Sequence, residues 1–276
     1  MNGYSITDRN QHLGWRHDLE ERTFLHASAT SMPSIQGFSA PEKFDPRGWL
    51  DIENQGAMGS CAGHACSTVG EMLNWIDTKG DEIQLSRMWA YLMGQRESEI
   101  TGDQGATITG VIQSAKKNGL CLEETFPYPQ RYSTDIPPGS EDEAREHKIL
   151  NHTVLRGYDE CFAYLLAGFG VIEIGIPWKA SLAHNNDGVI QKSEGQIFGG
   201  HAVAICGWTE RKDRLGRKYL ILINSHGMEW GKNGTAEVSP HLFDEWGQDR
   251  YSEMIGVSDL EEYSPRDLSF VDSLTW

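Results

Sequence analysis

The 276-residue chain predicts an α+β fold in which helices and strands are segregated along the sequence. Three observations carry that expectation. Apolar residues between positions 61 and 118 recur at helical spacing, β-branched runs dominate after position 171, and a proline-rich polar stretch separates the two halves.

The first 40 residues end in Ser-Met-Pro-Ser-Ile-Gln-Gly-Phe-Ser-Ala-Pro and are polar, turn-rich and weakly periodic, so they read as an extension leading into the core. After Cys61, the residues Ala65, Val69, Met72, Leu73 and Ile76 follow the i, i+4, i+7, i+8 pattern of a helix with one buried stripe, closed by Lys79-Gly80. Cys61 thus falls in the first turn of a long helix. A second helix is expected from Leu85 to Gln95, and a third from Ala106 to Asn118, stopped by Gly119 in the left-handed region. Pro127 to Glu146 holds four prolines, a glycine and a charge run, which reads as a surface loop. Val171 to Ile176, Ala202 to Cys206 and Tyr219 to Ile223 are short strand-like runs, and the polar stretch from Thr209 to Lys218 with Gly216 reads as a hairpin between the last two. No internal repeat is present.

Composition narrows the function. With 24 basic and 40 acidic residues the formal charge is −16, which repels phosphate backbones and anionic lipid surfaces, so neither nucleic acid nor membrane is an expected partner. No stretch approaches 18 continuous apolar residues, and Met1 to Leu25 has no apolar run and carries Asp8, Asp18, Glu20 and Glu21. A transmembrane helix and a Sec-type signal are therefore not expected. The five cysteines, at 61, 66, 121, 161 and 206, are odd in number and widely spaced, which points to a reducing, cytoplasmic setting, with incorporation in a larger particle left open.

Chemistry concentrates in three segments: Asn54-Gln55-Gly56-Ala57-Met58-Gly59-Ser60-Cys61, then Gly199-Gly200-His201-Ala202-Val203, then Ile223-Asn224-Ser225-His226-Gly227 with Trp230-Gly231-Lys232-Asn233-Gly234 behind it. A thiol is only a few per cent ionised at neutral pH, so amide hydrolysis needs a stabilised thiolate. A helix N-terminus beneath Cys61 and a protonated His201 beside it supply that stabilisation. Imidazole ordinarily titrates near neutrality, which suits His201 to carrying the proton to a leaving amine, and Asn224 is expected to fix its tautomer. A metal reading of Cys61, His64 and Cys66 fails, because residues five apart on a helix point about 140° from each other. No metal or other cofactor is expected, and His64 reads as a packed polar residue of the helix.

Cys61, His201 and Asn224 stand in nucleophile, base and orienter order, with gaps of 140 and 163 residues. Over roughly residues 43 to 257, the chain resembles the papain family of cysteine peptidases. Leu85-Ser86, Gly102-Asp103-Gln104-Gly105-Ala106 and Glu123-Glu124-Thr125-Phe126-Pro127-Tyr128 are also similar to family landmarks. The resemblance implies a two-lobed fold, with a helical lobe carrying Cys61 and an antiparallel, β-barrel-like lobe carrying His201 and Asn224. It implies hydrolysis of a polypeptide substrate through a thioacyl intermediate, with Gln55 as the oxyanion donor. It further places Gly105, Gly199 and Gly200 along the peptide cleft, with Ile174, Ile176 and Ala202 near a pocket for a hydrophobic side chain.

Departures from the pattern qualify these expectations. Ala62 and His226 stand where tryptophan is usual, which makes His226 and Trp230 candidate modulators of activity. Met58 and Asp103 or Gln104 stand where a disulfide usually lies. Residues 1–42 resemble the short leader of bacterial members, and 258–276 form a tail containing Tyr263, Phe270 and Trp276 that is expected to pack on the domain or on a protein partner. Two other readings stay open at this point: a papain-like module without activity that binds or assembles, and a cell-wall amidase.

Overall fold

The computed structural model describes residues 13–16, 41–259, 266 and 268. The rest of the leader and the tail aromatics Tyr263, Phe270 and Trp276 lie outside the described residues.

Three helices form the first half. Helix α1 (Cys61–Thr78) ends where Lys79 turns left-handed, as its Lys-Gly stop suggests. Helix α2 (Arg87–Glu97) starts two residues after the expected Leu85, because the Ser86 side chain accepts from Trp89 N and acts as the cap. The same device delays α3 (Ile108–Lys117), where Thr107 accepts from the backbone N of Gly110. Gly119 then takes φ +82°, and a Cβ there would lie 1.6 Å from Ala144 O. Within the expected 127–146 loop, a short helix α4 (Ser140–Ala144) brings Glu143 to Leu122 N and the Thr125 hydroxyl, which ties the loop down.

The second half adds β1 (Asn151–Val154), α5 (Gly157–Leu166), β2 (Val171–Lys179), α6 (Ala180–Ala183), β3 (Val189–Ile190), β4 (Ile197–Lys212), β5 (Lys218–Ile223), β6 (Thr235–Val238), α7 (Pro240–Gln248) and β7 (Glu253–Ser258). The strands make one sheet in the order β1-β7-β2-β4-β5-β6-β3, antiparallel except for β3 against β6. The barrel-like closure expected for this lobe is not made. β1 and β3 stand at opposite edges of an open sheet. Among the described residues, no helix is long and apolar enough to cross a membrane.

Helix α1 packs on β4 and β2, and the two lobes share one core that includes Met72, Trp75, Ile172, Trp178, Trp208 and Phe243. Because α1 is buried between α2 and the sheet, even its polar residues are enclosed. Glu71 meets Arg87 of α2 at 2.9 Å, and Arg87 also reaches Glu53 and Glu123. Burial outweighs that pairing for Glu71 and pushes its pKa up to about 8.

Candidate active site

Cys61 is the first residue of α1, where helix N–H groups have no partner within the helix. Its thiol lies against the backbone N–H groups of Ala202, Gly14 and Ala62 and is fully buried, and that burial pushes its pKa up to about 11. His201 stands on β4 directly beside Ala202, and its Nε2 lies 2.7 Å from Asn224 Oδ1. A side-chain carbonyl only accepts, so Nε2 carries the proton and Nδ1 keeps its lone pair when the ring is neutral. That Nδ1 has no hydrogen-bond partner among the described residues. Enclosure, with His226 alongside, holds the His201 pKa well below its ordinary value.

Asn224 follows β5, and its Oδ1 also accepts from Ser225 N at 2.8 Å, which fixes which end of the amide faces the imidazole. His226 stacks on His201 with ring centroids 4.5 Å apart and 24° between planes. Trp178 meets His201 edge-on at 4.4 Å and His226 at 5.8 Å, and Trp230 backs Trp178 at 5.9 Å. The smaller ring at 226 is thus part of an aromatic box completed by two tryptophans. Of these, sequence reasoning did not single out Trp178.

Gln55 is buried, its Nε2 donating to Met58 O at 2.9 Å and its Oε1 accepting from the Ser225 hydroxyl at 2.7 Å. Backbone pairing of Gln55 N with Ser225 O, and an Asn54–His226 bridge, zip the Gln55 loop to the Asn224 segment. Ser225 is a second residue that sequence reasoning left without a role. The absent disulfide has a replacement: Asp103 Oδ1 accepts from Gly59 N and from the Tyr91 hydroxyl, each at 2.8 Å, so one carboxylate joins the loop before Cys61 to the 102–106 loop.

A leader segment crosses this site. Trp15 pairs in parallel with Ala106, through Ala106 N to Gly14 O and Arg16 N to Ala106 O, both 3.0 Å, while Trp15 N donates to Gly200 O at 3.3 Å. It therefore bridges both lobes over the thiol. Fit is tight: a Cβ at Gly14 would lie 1.7 Å from Gly59 O, and one at Gly105 would lie 1.7 Å from Gly14 O. The Trp15 indole covers Gly175 and Gly200, and Leu13 lies over Gly199. The backbone of Ala202 lies against the Cys61 thiol, and Gly105, Gly199 and Gly200 are beside this leader segment. Ile174 and Ile176 are not, because alternation along β2 turns them to the face opposite Gly175. Gly175 takes the pocket-side position expected of them.

Residues 40–252 match the sequence profile of the papain family of cysteine proteases. The chain belongs to that family. An uncharacterized peptidase C1-like protein of Acanthamoeba polyphaga mimivirus is 26% identical over 204 residues, and the thiol protease SEN102 of Hemerocallis sp. is 26% identical over 205. Those alignments take in 68% and 71% of this chain, and the chain spans 64% and 53% of the two relatives' own lengths. Among solved structures, xylellain, a cysteine protease from Xylella fastidiosa, superposes with a TM-score of 0.73 at 19% identity, covering 93% of this chain and all of that one. The ragweed protease Amb a 11 in its proform gives 0.63 at 21%, over 81% of this chain and 67% of its own. These likenesses show the papain fold, with an open seven-stranded sheet in this member.

Proposed function

We propose that this protein hydrolyses peptide bonds with Cys61 as nucleophile, His201 as proton carrier, Asn224 as orienter and Gln55 as oxyanion donor, and that residues 13–16 hold the cleft closed until displaced. The observation that carries the reading is the 2.7 Å His201–Asn224 bond, which leaves Nδ1 without a bond to any described residue, the Cys61 thiol included, so that it is available as the base. In the reaction, Cys61 Sγ bonds to the substrate carbonyl carbon as its proton passes to His201 Nδ1, and the oxygen takes the negative charge. Collapse breaks the C–N bond, the amine leaves with the proton from His201, and a thioacyl enzyme remains. Water then attacks with His201 as base, and the acid and the free thiol are released.

Burial favours the neutral thiol and the neutral imidazole, which describes a resting state. Displacing the leader readmits water, lowers the cost of charge on both groups and favours the thiolate–imidazolium pair. All five cysteines are free and buried, which supports the expected reducing compartment. The same enclosure of Cys61, together with Ala62 and His226 in place of the usual tryptophans, favours a silent papain-like module. An epoxide inhibitor of papain-like enzymes, read by intact mass on wild type and Cys61→Ala, separates the two. Labelling and peptide cleavage dependent on Cys61 are expected. A Trp15→Ala chain, with its leader loosened, that neither labels nor cleaves would leave only the silent module.

A further inference from the structure

His64 is a fully enclosed imidazole on α1, and the reaction as proposed does not use it. Its Nδ1 lies 3.1 Å from the Ser60 carbonyl, which only accepts, so Nδ1 carries the proton and Nε2 is an acceptor. Burial holds its pKa near 3, which keeps the ring neutral. Nε2 has no hydrogen-bond partner among the described residues, and the Asn224 side-chain Nδ2, a donor, has none either. Both residues line one small cavity of about 10 Å³, the space one water molecule occupies, and Glu53 and Thr68 add polar groups to its wall. A residue with an unpartnered donor and a residue with an unpartnered acceptor thus line the same water-sized space.

We propose that His64 positions Asn224 through a single internal water, which accepts from Asn224 Nδ2 and donates to His64 Nε2. Its second hydrogen is directed at Glu53 or Thr68. An amide held by its Nδ2 end resists flipping, so the water adds to the Ser225 N–H contact in keeping Oδ1 on His201. The hold continues outward: the Ser60 hydroxyl lies 3.3 Å from His64 Nδ1 and 2.5 Å from the Tyr128 hydroxyl, which donates to Gln55 O at 3.0 Å. One polar chain therefore connects the loop of the oxyanion donor with the residue that orients the base. His64 acts through Asn224 and is a positioning residue. The inference rests on the reading of His201 and Asn224 given above.

The test compares His64→Phe, which keeps the ring and loses the acceptor, with His64→Gln, which restores an acceptor near the Nε2 position. In the full chain, long-range 1H–15N spectra should show His201 as the Nε2–H tautomer in wild type and His64→Gln, and as a tautomer mixture in His64→Phe. In a Trp15→Ala background, kcat should fall about tenfold in His64→Phe with KM within twofold, and recover to within threefold of wild type in His64→Gln. A crystal structure should place one water within hydrogen-bond reach of both side chains. A dry cavity, or His64→Phe with kcat within twofold of wild type, overturns the proposal. So does a kcat loss that His64→Gln does not recover while the tautomer signature is unchanged, since that pattern marks packing alone. If the Trp15→Ala chain cleaves no peptide, the peptidase reading fails, while the spectra and the water still decide this one.

Discussion

The two side chains proposed to react are held in their neutral forms by burial. Burial pushes the Cys61 pKa up to about 11, so its alkylation by iodoacetamide should follow an ionisation near that value in the full chain. Gly14→Ala forces the leader off Gly59, and the expected outcome is alkylation at pH 7 at least tenfold faster, with the apparent pKa moved down. At the neighbouring position, His226 has its pKa lowered to about 4 from 6.5 by burial. A histidine with a depressed folded-state pKa contributes stability that is present above the unfolded value and lost as pH falls toward the folded one. His226→Phe keeps a flat ring against His201 and removes that titration. Its melting temperature should therefore drop less between pH 7 and pH 4 than that of wild type, by the equivalent of about 1–3 kcal/mol. An unchanged drop would show that His226 is not what the acid side senses.

At the scale of elements, two loops that papain-like chains usually join covalently are joined here by Asp103, which takes Gly59 N and the Tyr91 hydroxyl on one oxygen. Removing that acceptor leaves two donors without it, and Asp103→Ala should cost about 1–3 kcal/mol in urea unfolding. It should also lower kcat/KM, because Gly59 leads directly into Ser60 and Cys61. Asp103→Asn, which keeps one acceptor, should lose less. Equal losses from both variants would place the effect in charge and not in the clamp. The starts of α2 and α3 belong to this scale too: Ser86 and Thr107 were readable as capping types, but apolar spacing alone extended both helices one turn or less too far toward the N-terminus. α5 and α7 were not read from the sequence, and they bury their aromatics partly against each other, Tyr158 meeting Phe243 from 85 positions away.

Across the whole molecule, the lobes meet around groups that are costly to enclose. Glu173 on β2 is fully buried, neither carboxyl oxygen has a hydrogen-bond partner among the described residues, and burial with Glu253 nearby raises its pKa well above 4.5. A carboxyl raised in this way contributes most below its unfolded pKa and loses that contribution as pH rises. Glu173→Leu should raise the melting temperature, with a gain larger at pH 8 than at pH 5 and worth about 1–3 kcal/mol at the higher value. A gain independent of pH would mean that packing, not ionisation, is limiting. Cys61, His201, Asn224 and Gln55 were legible from the chain because each belongs to a short motif whose chemistry demands that residue type, and α1 because its apolar stripe is local. The sequence by itself determined the family, the helical and β halves and the candidate reacting groups. Only the tertiary structure decided that Leu13-Gly14-Trp15 fills the cleft, that Gly175 and not Ile174 or Ile176 faces it, that Asp103 replaces a disulfide, and that His64 and Asn224 share a cavity. These are contacts between residues 44 to more than 180 positions apart, set by packing of two lobes, and no local pattern of spacing or polarity encodes which pairs will meet.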